Sequence, residues 1–241
     1  MPAIGPRSRI AGLVAFCVLA AAILLLALGP FGSAVVEAPA HAPGDTLAIL
    51  YSGDGGWAPL DRGVVRALAT RGVPVVGVNS VRYFWTARTP EAGADDLADL
   101  ARRYMAAWGR RRLVLIGYSF GAGALPPLVA DLPSDVKARI RYVALVSPEP
   151  AGVLRFRPSG WLGRTDATAF PLAPAVARLG GLRVACLYGA AERRPGCRTL
   201  PRGAAVTVKL PGGHHFGGDF SGLAEAIFRL GASWPRPSGA R

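Results

Sequence analysis

The stretch Leu113-Val114-Leu115-Ile116-Gly117-Tyr118-Ser119-Phe120-Gly121-Ala122 decides the reading of this 241-residue chain. A run of apolar residues ends in Gly-x-Ser-x-Gly, and small and apolar residues continue after it. That pattern predicts a buried strand, a sharp turn and a helix, with Ser119 held on the turn in a strained backbone conformation. Gly117 and Gly121 are required because a Cβ at either would collide with a neighbouring strand or helix. The turn lifts the serine Oγ above the sheet, where a base and an acyl group can reach it. Ser119 is therefore the candidate nucleophile.

Such a serine needs a histidine and a carboxylate downstream, in the chain order Ser, acid, His. The chain has three histidines, and His41 precedes the folded region. His214 and His215 lie in Pro211-Gly212-Gly213-His214-His215-Phe216, directly after the alternating run Ala205-Val206-Thr207-Val208-Lys209-Leu210. Imidazole suits a general base because its proton affinity sits near neutral pH. His followed by Phe, at the start of the last helix, is the usual arrangement. His215 is thus the expected base, with His214 in support. No third ligand of metal-binding spacing accompanies the pair, so neither a metal nor another cofactor is expected. The acid belongs after the strand Leu182 to Gly189. Glu192 is the only acidic residue between Asp166 and Asp219, and it is the expected partner of the imidazole. Asp219 is the alternative acid or a brace for the loop.

Backbone N–H groups must meet the developing oxyanion. One comes from Phe120, the residue after the nucleophile. The other is expected from Asp54 or Gly55 in Ser52-Gly53-Asp54-Gly55-Gly56-Trp57, the glycine-rich loop after the first core strand.

A hydrophobic content of 51% supplies enough material for one core of about 200 residues. Strand and helix patterns alternate, with strands near residues 46–51, 73–78, 113–118, 142–147, 182–188 and 204–210. Helices are read at 64–70 and 90–108. This predicts an α/β fold of about six mostly parallel strands with helices on both faces. The Pro/Gly-broken segment 149–181 leaves room for a minimal cap only. The net charge is +13, and all the basic residues except Lys137 and Lys209 are arginines. Such a chain is what an Arg-, Ala- and Gly-biased genome composition produces; the functional reading is attraction to an anionic surface such as a membrane. Nucleic acid is not an expected partner, since no basic-aromatic strand pattern or known binding motif is present.

Arg7 and Arg9 precede the uncharged, mostly apolar run Ile10 to Leu28, which reads as a signal peptide or membrane anchor. Ala-x-Ala sequences occur at Ala38-Pro39-Ala40 and Ala40-His41-Ala42. The organisation expected is a targeting segment over 1–36, a linker over 37–45, a catalytic domain over 46–235 and a tail over 236–241. Export would place the domain outside the cytoplasm, soluble or anchored, in an oxidising compartment. Cys186 and Cys197, which bracket Glu192, are candidates for a disulfide there.

Several motifs in order carry a resemblance. They are Tyr51-Ser52-Gly53-Asp54-Gly55-Gly56-Trp57, Val75-Val76-Gly77-Val78-Asn79-Ser80-Val81-Arg82-Tyr83-Phe84-Trp85, Arg88-Thr89-Pro90-Glu91, Ile116 to Ala122, and Pro211 to Phe216. Together they resemble the VirJ/AcvB family of bacterial virulence-associated proteins, from about residue 46 to 230. Asn79 and Gly123-Ala124 depart from the Asp and the Asp-Val expected at those positions. The resemblance implies an α/β-hydrolase-like fold, a periplasmic location, and hydrolysis of lysyl-phosphatidylglycerol, an aminoacylated membrane lipid. Its serine motif falls on Ser119 and its histidine motif on His214-His215. For such a substrate, Tyr83, Phe84 and Trp85 suit acyl chains, and Arg82 and Arg88 suit a lipid phosphate; the alternative is that the aromatics belong to the core and the arginines pair with Glu91 or Asp95. Asp54 is a candidate to face the lysyl amine. The alternative reading is a non-catalytic periplasmic binding protein that contacts secretion machinery on a hydrolase scaffold.

Overall fold

The computed structural model describes residues 14–20, 32–158 and 166–234. The chain divides into two compact units, residues 1–33 and 34–241. In the first, residues 14–20 are helical and expose Val14, Phe16, Val18 and Leu19. Most of the expected targeting segment and the tail 236–241 lie outside the described residues. Among the described residues no helix is long and apolar enough to cross a membrane.

In the second unit, β1 (Val35–Ala38) and β2 (Thr46–Tyr51) lead into α1 (Pro59–Ala69) and β3 (Val75–Val78). Next come α2 (Pro90–Ala107), β4 (Arg112–Tyr118), α3 (Phe120–Ala130) and β5 (Ile140–Val146). A small ribbon of β6 (Ala151–Gly152) and β7 (Phe170–Pro171) precedes α4 (Leu172–Ala177), β8 (Val184–Gly189), β9 (Val206–Leu210) and α5 (Phe220–Ser233). The main sheet has seven strands in the order β1-β3-β2-β4-β5-β8-β9. All neighbouring pairs in it are parallel except β1–β3.

The strand sequences explain this architecture. β2, β3 and β8 are buried at every position, as β4 is after Arg112, so they read as continuous apolar runs rather than alternating ones. A parallel strand covered on both faces requires that pattern. One core lies between the sheet and α2, α3 and α4, built on Leu97, Leu125, Leu128 and Leu172. The other lies between the sheet and α1 and α5, built on Leu60, Val64, Leu68, Leu223 and Ile227. The chain runs from β2 outward to β3, then returns to the opposite side of β2 with β4. This reversal opens a crevice at the carboxyl ends of β2 and β4, the place where open α/β sheets bind ligands. Of the segment expected to form the cap, residues 159–165 lie outside the described residues; its first part packs on the loop after β3, where Arg88 N–H donates to the Leu154 carbonyl (2.9 Å) and Phe156 N–H to the Phe84 carbonyl (2.7 Å).

The domain begins earlier than its composition suggests. Part of the expected linker and the end of the expected leader form β1, which pairs with β3 from Val35↔Val78 to Ala38↔Val75. Tyr104 Oη donates to the Glu37 carboxylate on this strand. Four residues beside an Ala/Pro stretch carry too little periodicity to announce a strand; the open edge of β3 recruits them. Because β1 is antiparallel, Val35 sits at the same sheet edge as the carboxyl ends of β2 and β4. Both Ala-x-Ala sequences end beyond β1, so a cut at either would strip the strand from the domain.

One buried group has a measurable energetic signature. Asp61, in the first turn of α1, is fully buried; its Oδ2 accepts the Ala58 N–H (2.9 Å), and its Oδ1 has no partner among the described residues. Burial raises its carboxyl to about 6, against the opposing pull of the Ala58 N–H. A raised native value favours the neutral form in the fold. The contribution is therefore complete below the ordinary aspartate range and is lost as pH rises toward 6. Asp61→Asn, compared with the parent by urea unfolding at pH 4 and pH 7, is expected to gain relative stability at the higher pH, on the order of 2 kcal/mol. An equal difference at both pH values would remove this account of Asp61.

Candidate active site

β4 ends at Tyr118, and α3 begins at Phe120. Ser119 lies between them with φ 51° and ψ −113°, a conformation that L-residues rarely adopt. Two close approaches enforce it. A Cβ on Gly117 would stand 2.6 Å from the Ala122 Cα, and one on Gly121 would stand 2.4 Å from the Tyr51 carbonyl oxygen. The strand-turn-helix therefore closes only with glycine at both positions, as the sequence implies. Ser119 N–H donates to the Val146 carbonyl (2.8 Å), which ties the turn to β5.

His214 Nε2 lies 2.9 Å from Ser119 Oγ, and His214 Nδ1 lies 3.3 Å from Glu192 Oε2. This geometry corrects the expected base: His214 reaches the serine, and His215 does not. The reason is the loop's register. Phe216 N–H closes a turn onto the Gly213 carbonyl (2.9 Å), which makes the two histidines the central residues of that turn. Their side chains diverge there. His214 meets Ser119, whereas His215 Nδ1 meets Tyr118 Oη at 2.7 Å. A rule based on the following phenylalanine cannot see that choice. Phe216 itself is buried under the sheet.

Glu192 occupies the position expected for the acid. Its Oε1 accepts the Ser147 hydroxyl (2.7 Å) and the Gly189 N–H (2.7 Å), leaving Oε2 for the imidazole. Its loop is zipped to the histidine loop: Ala190 N–H donates to the Leu210 carbonyl and Ala191 N–H to the Gly212 carbonyl, both at 2.8 Å. Cys186 and Cys197 form a disulfide with a Cα–Cα separation of 5.5 Å, closing the segment that carries Glu192. Asp219 takes no part in this relay. Its Oδ1 accepts the Gly222 N–H (2.8 Å), so it caps α5.

The residues expected on the oxyanion side lie next to Ser119 in the chain or on the neighbouring loop. Phe120 is the first residue of α3, so its N–H has no intrahelical acceptor and adds the positive end of the helix. The Gly53 carbonyl accepts the Gly56 N–H (3.1 Å), which places Asp54 and Gly55 at the centre of a turn beside the nucleophile. This loop comes close to the serine at Gly53, where a Cβ would stand 3.4 Å from the Ser119 Cβ. Sequence reasoning missed Gly53, and it also missed Ser147 and Tyr118, the latter discussed below. Ser147 follows β5 with φ 46°, and its place just beyond a strand's carboxyl end was the one available signal.

The expected substrate residues divide. Arg88 is engaged within the fold: Nη1 lies 3.7 Å from Asp96 Oδ2, and the guanidinium sits 4.8 Å from the Tyr83 ring centre. Tyr83 Oη donates to the same Asp96 oxygen (2.7 Å). Arg88 therefore braces the loop, which accounts for it without a lipid phosphate. Arg82 is exposed on the single-turn helix Ser80–Tyr83, which Asn79 caps by accepting the Arg82 N–H. Trp85 stacks on Phe156 at 5.9 Å, and Phe120 contacts Phe84 (5.4 Å) and Phe156 (6.3 Å). An apolar wall thus runs from the residue after the nucleophile out to Trp85. No group of three His, Cys, Asp or Glu among the described residues converges as a metal site.

With the elbow and relay in view, comparison with known proteins is decisive for the family. Residues 45–232 match the model of VirJ, described as a bacterial virulence protein. The chain belongs to the VirJ family. No functionally curated protein matches it. Among solved structures, this VirJ-family chain is similar to Est1E from Butyrivibrio proteoclasticus, with a TM-score of 0.55, 14% identity, and coverage of 81% of this chain and 91% of that one. It is similar to an alpha-beta serine hydrolase homologue from Coxiella burnetii, with a TM-score of 0.56, 16% identity, and coverage of 81% and 89%. It also resembles XC6422 from Xanthomonas campestris, a serine hydrolase without a lid, with a TM-score of 0.50, 19% identity, and coverage of 86% and 96%. These likenesses show the fold, an open, mostly parallel sheet covered by helices on both faces as in α/β-hydrolases.

The relay distinguishes the two histidines by experiment. With a fluorophosphonate probe, His214→Ala is expected to slow labelling of Ser119 by about a thousandfold or more, because relay members act as a unit. His215→Ala is expected to lose about tenfold, a cost of about 1.4 kcal/mol. The reverse order would return the base to His215.

Proposed function

We propose that this VirJ-family protein is a periplasmic serine esterase that cleaves the aminoacyl ester of an aminoacylated anionic phospholipid, with lysyl-phosphatidylglycerol as the substrate. The observation that carries this reading is the Ser119–His214–Glu192 relay, set in a family otherwise matched over nearly the whole domain.

An aminoacyl ester is an activated carbonyl suited to an acyl-enzyme route. Ser119 Oγ attacks it while His214 Nε2 takes the hydroxyl proton, and Glu192 stabilises the imidazolium. The tetrahedral oxyanion is met by the Phe120 N–H and by the turn at Asp54 and Gly55. His214 then returns the proton to the departing glycerol oxygen, releasing phosphatidylglycerol. Water, deprotonated by His214, attacks the acyl-serine, and lysine leaves.

Three further features support the lipid and the compartment. The apolar wall of Phe120, Phe84, Phe156 and Trp85 offers a surface for acyl chains next to the ester. The Cys186–Cys197 disulfide fits an oxidising compartment. The antiparallel β1 brings the chain into the domain at the catalytic edge, and both Ala-x-Ala sequences end beyond that strand, which favours a retained N-terminal segment. Arg82 remains the candidate for the lipid phosphate and Asp54 for the lysyl amine.

Full-length protein mixed with vesicles containing lysyl-phosphatidylglycerol is expected to release free lysine, and Ser119→Ala is expected to reduce release by several orders of magnitude. Cleavage of simple soluble esters without lysine release would leave a serine esterase with a different substrate. Inactivity toward both would favour the binding-protein reading, in which the scaffold contacts secretion-system proteins.

A further inference from the structure

Tyr118 precedes the candidate nucleophile and lies in none of the roles assigned above, yet its side chain lies against both the glycine-rich loop and the histidine loop. Its ring backs onto the glycine-rich loop, where a Cβ on Gly53 would stand 3.1 Å from ring carbons. Its hydroxyl donates to the His214 carbonyl oxygen (3.2 Å) and lies 2.7 Å from His215 Nδ1. The ring centroids of Tyr118 and His214 are 5.6 Å apart.

A phenol has one proton to give. If it went to His215 Nδ1, the His214 carbonyl would receive at best a shared contact. If His215 carries its proton on Nδ1, that N–H donates to Tyr118 Oη, and Tyr118 O–H donates onward to the His214 carbonyl. Each group then has a partner of the correct kind. Burial raises the phenol well above its ordinary range, so it stays protonated and able to donate wherever the esterase would work.

From this geometry we infer that Tyr118 is the positioning residue of the site: its hydroxyl, held by His215 Nδ1–H, clamps the backbone of the histidine loop and thereby determines that His214 is the base. The latch is short because Tyr118 is adjacent to Ser119. It therefore ties the base loop to the nucleophile's own strand end. It also gives His215 a role, since a side chain engaged through Nδ1 to Tyr118 is withheld from Ser119. Apart from the latch, the backbone bonds that hold this loop include Ala191 N–H to the Gly212 carbonyl, Phe216 N–H to the Gly213 carbonyl and Gly218 N–H to the His215 carbonyl, and none of them ties it to the strand end that carries Ser119.

The inference rests on the serine esterase reading for its kinetic test but not for its spectroscopic one. With 15N-histidine-labelled full-length protein, the His215 ring is expected to show the Nδ1–H tautomer, and Tyr118→Phe is expected to return it to the Nε2–H tautomer that dominates in free histidine. A His215 ring already in the Nε2–H form in the parent would overturn the proposed donor chain. On a soluble nitrophenyl ester, Tyr118→Phe is expected to lower kcat by about tenfold or more with KM little changed. Combining it with His215→Ala should cost no more than Tyr118→Phe alone, because both changes break one latch. Additive losses, or a Tyr118→Phe variant with unaltered kcat, would show that the two residues act separately and would sink the latch. If the parent neither labels with fluorophosphonate nor cleaves the ester, the esterase reading fails, while the tautomer measurement still decides the latch.

Discussion

The catalytic edge depends on one steric constraint, the approach of the Gly121 backbone to within contact of the Tyr51 and Ser52 carbonyls. Nothing larger than a hydrogen fits between the start of α3 and the end of β2. That contact lets the helix begin directly over the β2–β4 crevice, and it forces the chain through a positive-φ residue at Ser119. The strain is sustained because β4 is held on both sides by parallel neighbours and buried on both faces. A turn on a less constrained element would relax.

From that anchor the remaining groups are placed by backbone rather than by long side-chain reach. β8 and β9 are adjacent in the sheet, so the loops that leave them emerge side by side and are joined by two backbone hydrogen bonds. Glu192 then needs only Ser147 and its own Gly189 N–H to hold one oxygen, and the other faces His214. The 3.3 Å between Glu192 and His214 is long for a hydrogen bond, and the other carboxylate oxygen is the one held firmly. The disulfide closes the acid's segment from the far side, so the loop is restrained at both ends.

The aromatic residues show how one stretch can serve structure and site together. Tyr83 packs edge-on against Tyr51 and Phe84, and Phe84 lies tilted against Tyr51, a cluster that belongs to the core. Trp85 and Phe120, half-buried, extend the same cluster to the mouth of the crevice. Arg88 and Asp96 fasten the loop beneath, so the arginine that resembles a phosphate ligand in the sequence is committed to a fold contact.

Much was legible from local pattern alone. The apolar run into Gly-x-Ser-x-Gly specifies the elbow because its steric demands fall on residues adjacent in the chain. The same holds for Glu192, because a single acid stands in its segment, and for the parallel sheet, because strands buried on both faces cannot alternate. What tertiary structure decided was mainly what depends on a partner distant in sequence. The strand Val35–Ala38 exists because β3 offers an open edge. Arg88 is engaged because the loop turns back along α2, about two turns into which Asp96 stands, a local contact that the charge pattern does not single out. The choice between His214 and His215 was invisible for the same reason as the strand. The two are chemically identical neighbours, and only the register of their turn against Tyr118, about a hundred residues away, determines which imidazole meets the serine.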